Sequence, residues 1–446
     1  MKKIVFSLLM AALLCFSVCM VAFNENRNSE TDINKIATES GDSNVNDYLI
    51  NGFDIRTIGD YPEIEAAIRL SANVENGDLT KEDFLKVTSL DISGVGIQDI
   101  TLLKALINLT ELQAHSNKIV DISPLATLKK LTKLNLNSNS IVDVSPLAAL
   151  KKLTELNLGG NDIADISPLS GLTGLVDLYI NSNKIVDISP LTGLNKLDHL
   201  SLAVNDIADI SPLAALKNIT ELDLSSNNID DVSPLSGLTG LVDLIIYYNK
   251  IVDISPLAAL MNLTELQAHN NKIVDISPLN GLNKLDLLSL SGNDIADISP
   301  LATLENLTKL YLGSNNIVDV SPLSELTNLV WLEIAANDIV DVSPLSGLTD
   351  LVLLYINSNN IVDISPLSGL VNLTDARLSG NNISDITPLG SWSKMERLGL
   401  DDNPITDISV LRGLNLLLSL TVTNCPIEDF SPVAHVRHVE PSLETD

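Results

Sequence analysis

The chain is short of rings. Phe, Trp and Tyr make up 3% of its 446 residues, while hydrophobic residues reach 45%, so a core has to be built from small aliphatic side chains. It is short of thiols: of three cysteines, Cys15 and Cys19 fall in the first apolar run and Cys425 stands alone, which excludes a disulfide framework. It is also short of cations. Lys plus Arg number 27 against 57 Asp plus Glu, a net charge of -30, so phosphate backbones and anionic membrane surfaces are repelled and a nucleic-acid partner is excluded. With five histidines, no zinc cluster can be assembled, no Gly-rich phosphate loop occurs, and no nucleophile is forced next to a base. A chain of this length has room for about three domains of roughly 150 residues, yet this composition argues for repeated units over an ordinary multidomain enzyme.

Two basic residues, Lys2 and Lys3, precede an uncharged run from Ile4 to Phe23. Residues 1–22 therefore read as an export signal or N-terminal anchor. Three outcomes stay open: cleavage after Ala22, retention in the membrane, or lipidation at Cys19. All three place the body outside the cytoplasm, with membrane contact only through this segment. Residues 23–47 are polar and lack apolar periodicity, as expected of a disordered linker.

What the chain has in abundance is a period. Asn117, Asn139, Asn161, Asn183, Asn205, Asn227, Asn249, Asn271, Asn293, Asn315, Asn337, Asn359, Asn381 and Asn403 follow one another every 22 residues. The frame extends back to Val95 and on to Cys425, giving sixteen units over residues 89–430 and leaving 431–446 as a C-terminal tail. One unit, Leu131-Thr132-Lys133-Leu134-Asn135-Leu136-Asn137-Ser138-Asn139-Ser140-Ile141, matches the pattern L-x-x-L-x-L-x-x-N/C-x-L. Leu134 and Leu136 belong to a short strand facing inward. The ladder Asn, or Cys425 as a structural thiol, satisfies backbone groups at the following turn. In Asp121-Ile122-Ser123-Pro124-Leu125 the Ser is placed as N-cap and the Pro at the first position of a short helical or 3₁₀ turn. The Asp recurs once per unit from Asp99 to Asp429. An Asx turn onto the backbone two residues on explains that spacing without a calcium ladder. Ahead of the repeats, residues 48–88 carry Ile64, Ala67, Ile68 and then Phe84, Val87 at helical spacing, with Thr80 and Asp83 as a capping box. They predict a helical cap. Sequons such as Asn108-Leu109-Thr110 and Asn218-Ile219-Thr220 fall at one repeat position and are by-products of the pattern.

These features resemble the internalin family of bacterial surface leucine-rich-repeat proteins. The strict 22-residue unit, the signature Asp187-Ile188-Ser189-Pro190-Leu191, and a cap ending in Gly77 to Phe84 carry the likeness. It implies an α/β solenoid, a right-handed arc with a concave parallel sheet and short 3₁₀ or helical turns on the convex side. It also implies a secreted or surface-held, non-catalytic monomer without cofactor or metal that binds an extracellular protein or glycan. With 21 residues after Cys425, covalent wall anchoring through a sorting signal and a following immunoglobulin-like module are not expected. The rival readings are an intracellular phosphatase-regulating repeat protein and a surface spacer.

Contact residues should stand on the strand face, at the positions six, four, two and one before each ladder Asn. These are about one residue in seven, so about two of the fourteen Tyr, Trp and His would fall there by chance; nine do. The aliphatic core rejects rings, but that alone accounts for about half of them. Neighbouring units then set Tyr311, Glu333, Tyr355 and Arg377 in one row with Trp331 and Leu353 beside it, and group Ile245, Tyr247, Tyr248 and His269 in a second patch. Tyr179 and His199 complete the candidates. His199 is flanked in its column by Asp177 and Glu221, but with no nucleophile beside it a catalytic role is not expected.

Overall fold

The structure, a computed structural model, describes residues 48–440; the N-terminal signal, the whole of the linker and residues 441–446 lie outside the described residues. From Ile50 the chain is one continuous unit.

Helix α1, Pro62–Ala72, starts with Pro at its first position and Glu63 and Glu65 in its first turn, and it stops at Asn73, whose φ of 56° is left-handed. Ile64, Ile68 and Ala72 form its buried face. Helix α2, Lys81–Lys86, carries the expected capping box: the Thr80 hydroxyl accepts from the Asp83 N–H, and the Asp83 carboxylate accepts from the Thr80 N–H. Hydrogen bonds from Lys86 and Thr80 hold that carboxyl down at about 2. Ser71 Oγ donates to Ser89 O at 2.8 Å, tying α1 to the first repeat strand.

Seventeen three-residue strands, from Ser89–Asp91 to His438–Glu440, form one parallel sheet. Each pairs in register with its neighbours in sequence, as in Trp331↔Leu353, Leu332↔Leu354 and Glu333↔Tyr355. The first strand pairs with the second and the last with the one before it, so the sheet is open. The count exceeds the sixteen expected because residues read as tail supply a 3₁₀ turn, Ser431–Val433, and the final strand. Ser419 pairs with His438, so this last turn is three residues shorter than the others.

The central residue of every strand but the last, and the Leu and Ile positions that follow it, are buried, Leu134, Leu136, Ile141 and Val144 among them; Val439 in the last strand is half-buried. No unit can bury its own apolar side alone, and stacking closes a continuous core. The expectation that this core takes no ring fails once: Trp392, where the previous unit has Leu370, is fully buried and donates Nε1–H to Leu367 O at 3.1 Å. That carbonyl satisfies the indole's polar atom.

The ladder amide does more than close its own turn. Asn315 Nδ2 donates to Leu312 O at 2.9 Å and Gly313 O at 3.3 Å in its own unit and to Leu290 O at 3.1 Å in the unit before, while its Oδ1 accepts from the Ile295 N–H at 3.1 Å. Cys425 keeps the backward bond, Sγ to Leu400 O at 3.2 Å, and burial pushes its thiol up, away from a reactive thiolate. The Asp column forms the Asx turn in every unit, as where Asp121 Oδ1 accepts from the Ser123 N–H at 2.8 Å. This displaces the expected N-cap. Ser123 is already the first residue of the 3₁₀ turn Ser123–Thr127, Ile122 stands at the cap position, and the Asp carboxylate supplies the acceptor. The sequon asparagines also bond backward, Asn108 Nδ2 to Leu85 O at 2.8 Å and Asn372 Nδ2 to Thr349 O at 2.9 Å.

The residue before the ladder position is left-handed in all sixteen units, from Gly94 to Asn424. Ser, Gly, Asn and Asp fill most of these places, in keeping with the conformation. Val204, Tyr248 and Ala336 do not.

Candidate functional site

Pairing in steps of 22 residues turns equivalent positions into rows across the sheet. One row reads Tyr311, Glu333, Tyr355, Arg377; the row beside it reads Lys309, Trp331, Leu353, Asp375. The side chains meet as that register requires. Trp331 lies between two tyrosines, its ring 5.3 Å from Tyr311 and 6.1 Å from Tyr355, the second contact edge to face at 77°. Arg377 sits 4.4 Å over the outer face of Tyr355, a cation–π contact.

Glu333 takes a different course from the rings around it. Its carboxylate folds inward, Oε2 accepting from Ser291 Oγ at 3.0 Å and from the Gly313 N–H at 3.2 Å, Oε1 from the Ala335 N–H at 3.3 Å. Burial raises its pKa despite these bonds. Room for it exists because residue 313 is Gly: a Cβ there would overlap the carboxylate. Glu333 is thus a peg joining three strands beneath the aromatic row. The rings themselves are partly buried rather than freely exposed, burial raises the pKa of Tyr311 and Tyr355, and the Trp331 Nε1 is buried without an acceptor.

The second group forms as well. His269 stacks on Tyr247 at 4.3 Å and 15°, Tyr248 meets both rings edge-on, and Ser289 Oγ lies 3.2 Å from His269 Nδ1. Burial lowers the His269 pKa, favouring the neutral ring. Tyr248 is about half exposed at a φ of 51°, an uncommon conformation for a bulky residue. Ile245 ends its strand two residues before Tyr247.

Tyr179 and His199 lie outside the two ring clusters but line one depression with Ile245 of the second group. His199 Nδ1 bonds Asp177, and its Nε2 is 3.5 Å from Glu221 and 3.9 Å from Asp198. The Asp177 bond raises the His199 pKa. Every charged neighbour of this ring is a carboxylate, an arrangement that stabilises an imidazolium and activates no nucleophile. Among the described residues no group of three or more His, Cys, Asp and Glu is placed to hold a metal ion.

Leucine-rich-repeat profiles match in overlapping stretches over residues 107–193, 195–237, 239–281 and 283–325, with a further match at 218–259. No curated protein matches the chain. Among solved structures, an internalin, inlF, from Listeria monocytogenes is 37% identical, covering 77% of this chain and 96% of its own, with a TM-score of 0.65. The chain belongs to the internalin family. The functional domain of InlJ from the same organism, described as including a cysteine ladder, is 25% identical over 85% of this chain and 78% of its own, at a TM-score of 0.63. A Leptospira interrogans leucine-rich-repeat protein is also 25% identical, covering 80% of this chain and 97% of its own, at a TM-score of 0.74. In this internalin the ladder is asparagine, with one cysteine at its end.

Reasoning on rows placed the side chains of this internalin in the groups the structure shows. It missed Ser291 and Gly313, which seat Glu333, and Lys309, which the register sets beside Trp331. A Gly two before a ladder Asn, found only at Gly159 and Gly313, was the available signal that a neighbour's side chain fills that space.

Proposed function

We propose that this internalin is a non-catalytic, extracytoplasmic protein that binds a macromolecular partner, a protein before a glycan, through the strand face of its repeat arc. The observation that carries the reading is the row of Tyr311, Trp331, Tyr355 and Arg377 over the Glu333 peg. Large rings held by their neighbours lose little freedom on binding, and Trp, Tyr and Arg are the residues that dominate interface energetics. None of the four is needed to complete the aliphatic core, whose positions on these strands are held by Leu310, Leu332, Leu354 and Ala376. The relatives supply the class, and the apolar N-terminal segment supplies the location. Among the described residues no helix is long and apolar enough to cross a membrane.

The test is capture of extracellular proteins and arrayed glycans on the immobilised chain, run in parallel with Trp331→Ala and Tyr355→Ala. Captured species that are lost with either variant while the fold is retained support the reading. Capture indifferent to both removes the aromatic row from it, and finding the native protein in the cytosolic fraction removes the location.

A further inference from the structure

The strand face holds a second feature, an open depression of about 330 Å³ on the N-terminal side of the aromatic groups. Its geometry follows from two rows. One reads Tyr179, Ser201, Asp223, Ile245, so two small or short side chains lie between two bulky ones. The other runs through His199, Glu221, Asp243 and Glu265. The depression therefore has an aromatic wall at Tyr179, an aliphatic wall at Ile245, and carboxylates along one side and on its floor.

The charges here are unbalanced in a way they are not elsewhere on the sheet. Like charges directly opposite on neighbouring strands destabilise a sheet. Toward one end of the same row Lys133 Nζ bonds Glu155 at 2.8 Å, and toward the other Arg397 bonds Asp375 at 2.6 Å. Between them Glu221, Asp243 and Glu265 stand on three consecutive strands with no Lys or Arg bridged to them, and His199 is the one basic side chain on the rim. Asp243 Oδ1 accepts a bond from Thr264, and Asp223 caps its own turn at Ser225, so Glu221, 3.5 Å from the His199 ring, and Oδ2 of Asp243 are left to act outward.

Building on the proposed role of the strand face, we propose that this depression is a subsite for a cationic side chain of a protein partner, arginine above lysine. An arginine carries an apolar stem suited to Ile245, a planar guanidinium that stacks on a ring such as Tyr179, and a fork of donors for two carboxylates at once. The partner then lies along the sheet with a basic residue at this end and an apolar or acceptor-bearing surface over Trp331.

The probe is the acetylated, amidated hexapeptide of arginine, with the citrulline hexapeptide as its uncharged counterpart, titrated into the protein at about 0.15 M salt. The double variant Glu221→Gln/Asp243→Asn should weaken arginine-peptide binding by about tenfold or more. Removing the same charge at two exposed convex residues, Glu325→Gln/Asp350→Asn, should change it by no more than about twofold. The NMR signals of the His199 ring should shift on titration while those of His435 stay. Relief of like-charge repulsion keeps the melting temperature of the first double variant at or above wild type. Equal loss in the two double variants, equal binding of the citrulline peptide, or an unmoved His199 overturns the proposal. Should a captured partner depend on Trp331 but not on Glu221 and Asp243, the subsite falls and the strand-face reading stands; dependence on neither removes both.

Discussion

The ladder and the strand face lie within six residues of each other in every unit and obey opposite rules. At the ladder the partners are backbone atoms, which are the same in every unit, so one side chain solves the problem fourteen times and a thiol approximates it once. On the strand face the partners are other side chains, so each unit differs and contacts such as Tyr311 with Trp331, or Glu333 with Ser291, run between particular neighbours. The contrast teaches where to read stability and where to read recognition. Periodic positions hold the solenoid, and aperiodic ones carry what is individual to it.

The largest expected effect breaks the ladder. Asn315→Ala leaves the Ile295 N–H without a partner in a dry interior and takes one of two ladder bonds from the Leu290 and Leu312 carbonyls, which keep Asn293 and Asn337. At about 1–3 kcal/mol for one buried unmet group, with the weakened carbonyl bonds added, a loss of about 3 kcal/mol is expected, read as a lower denaturant midpoint. A midpoint near wild type would mean that water replaces the amide. Next in size is Trp331→Ala on the strand face. Affinity for a captured partner should fall about thirtyfold, equivalent to about 2 kcal/mol. Stability should fall by about 1 kcal/mol, because the ring is partly buried against two tyrosines. A sharp drop in melting temperature with affinity intact would move this ring from recognition to structure.

A smaller effect tests the boundary between the two regions. Val204 is β-branched at a φ of 55°, where most units carry Ser, Gly, Asn or Asp. Val204→Asn should raise stability by about 0.5–1 kcal/mol, since a left-handed L-residue costs about 1–2 kcal/mol and Asn tolerates it best among non-Gly residues. An unchanged or lower melting temperature would show that Val204 packs well enough to offset its backbone.

The smallest effect concerns charge. Asp177 raises the His199 pKa, so the protonated ring contributes stability that is fully present below the unfolded value of about 6.5 and lost as pH rises through the higher folded value. The melting gap between wild type and His199→Gln should be widest near pH 5.5 and close toward about pH 8. The ring is partly exposed, so the gap should be small at any pH. A gap that widens with pH would contradict the ion pair.

The sequence discloses the ladder, the Asx turns and the rows of the strand face because each follows from a spacing and a backbone geometry that repeat. Glu333 is less legible. Nothing in its own unit says that it turns inward; the reason lies one strand back, where residue 313 lacks a side chain, and two strands back, where Ser291 donates. The left-handed residue was equally present in the composition of its column, yet Val204 and Tyr248 obscure it. The final strand escaped notice because its turn drops three residues and leaves the 22-residue frame. The Ser at the start of each 3₁₀ turn has the chemistry of a cap, but the Asp two residues earlier already supplies the acceptor.

One property of the ladder gives the molecule a direction in time. Each Asn amide reaches backward, bonding a carbonyl and an N–H of the unit that precedes it, so a unit is finished only when its successor arrives. A chain emerging from its N-terminus can therefore fold as it appears, first against the helices α1 and α2, then with every new coil sealing the last. The solenoid is built to be threaded out and closed behind the moving end.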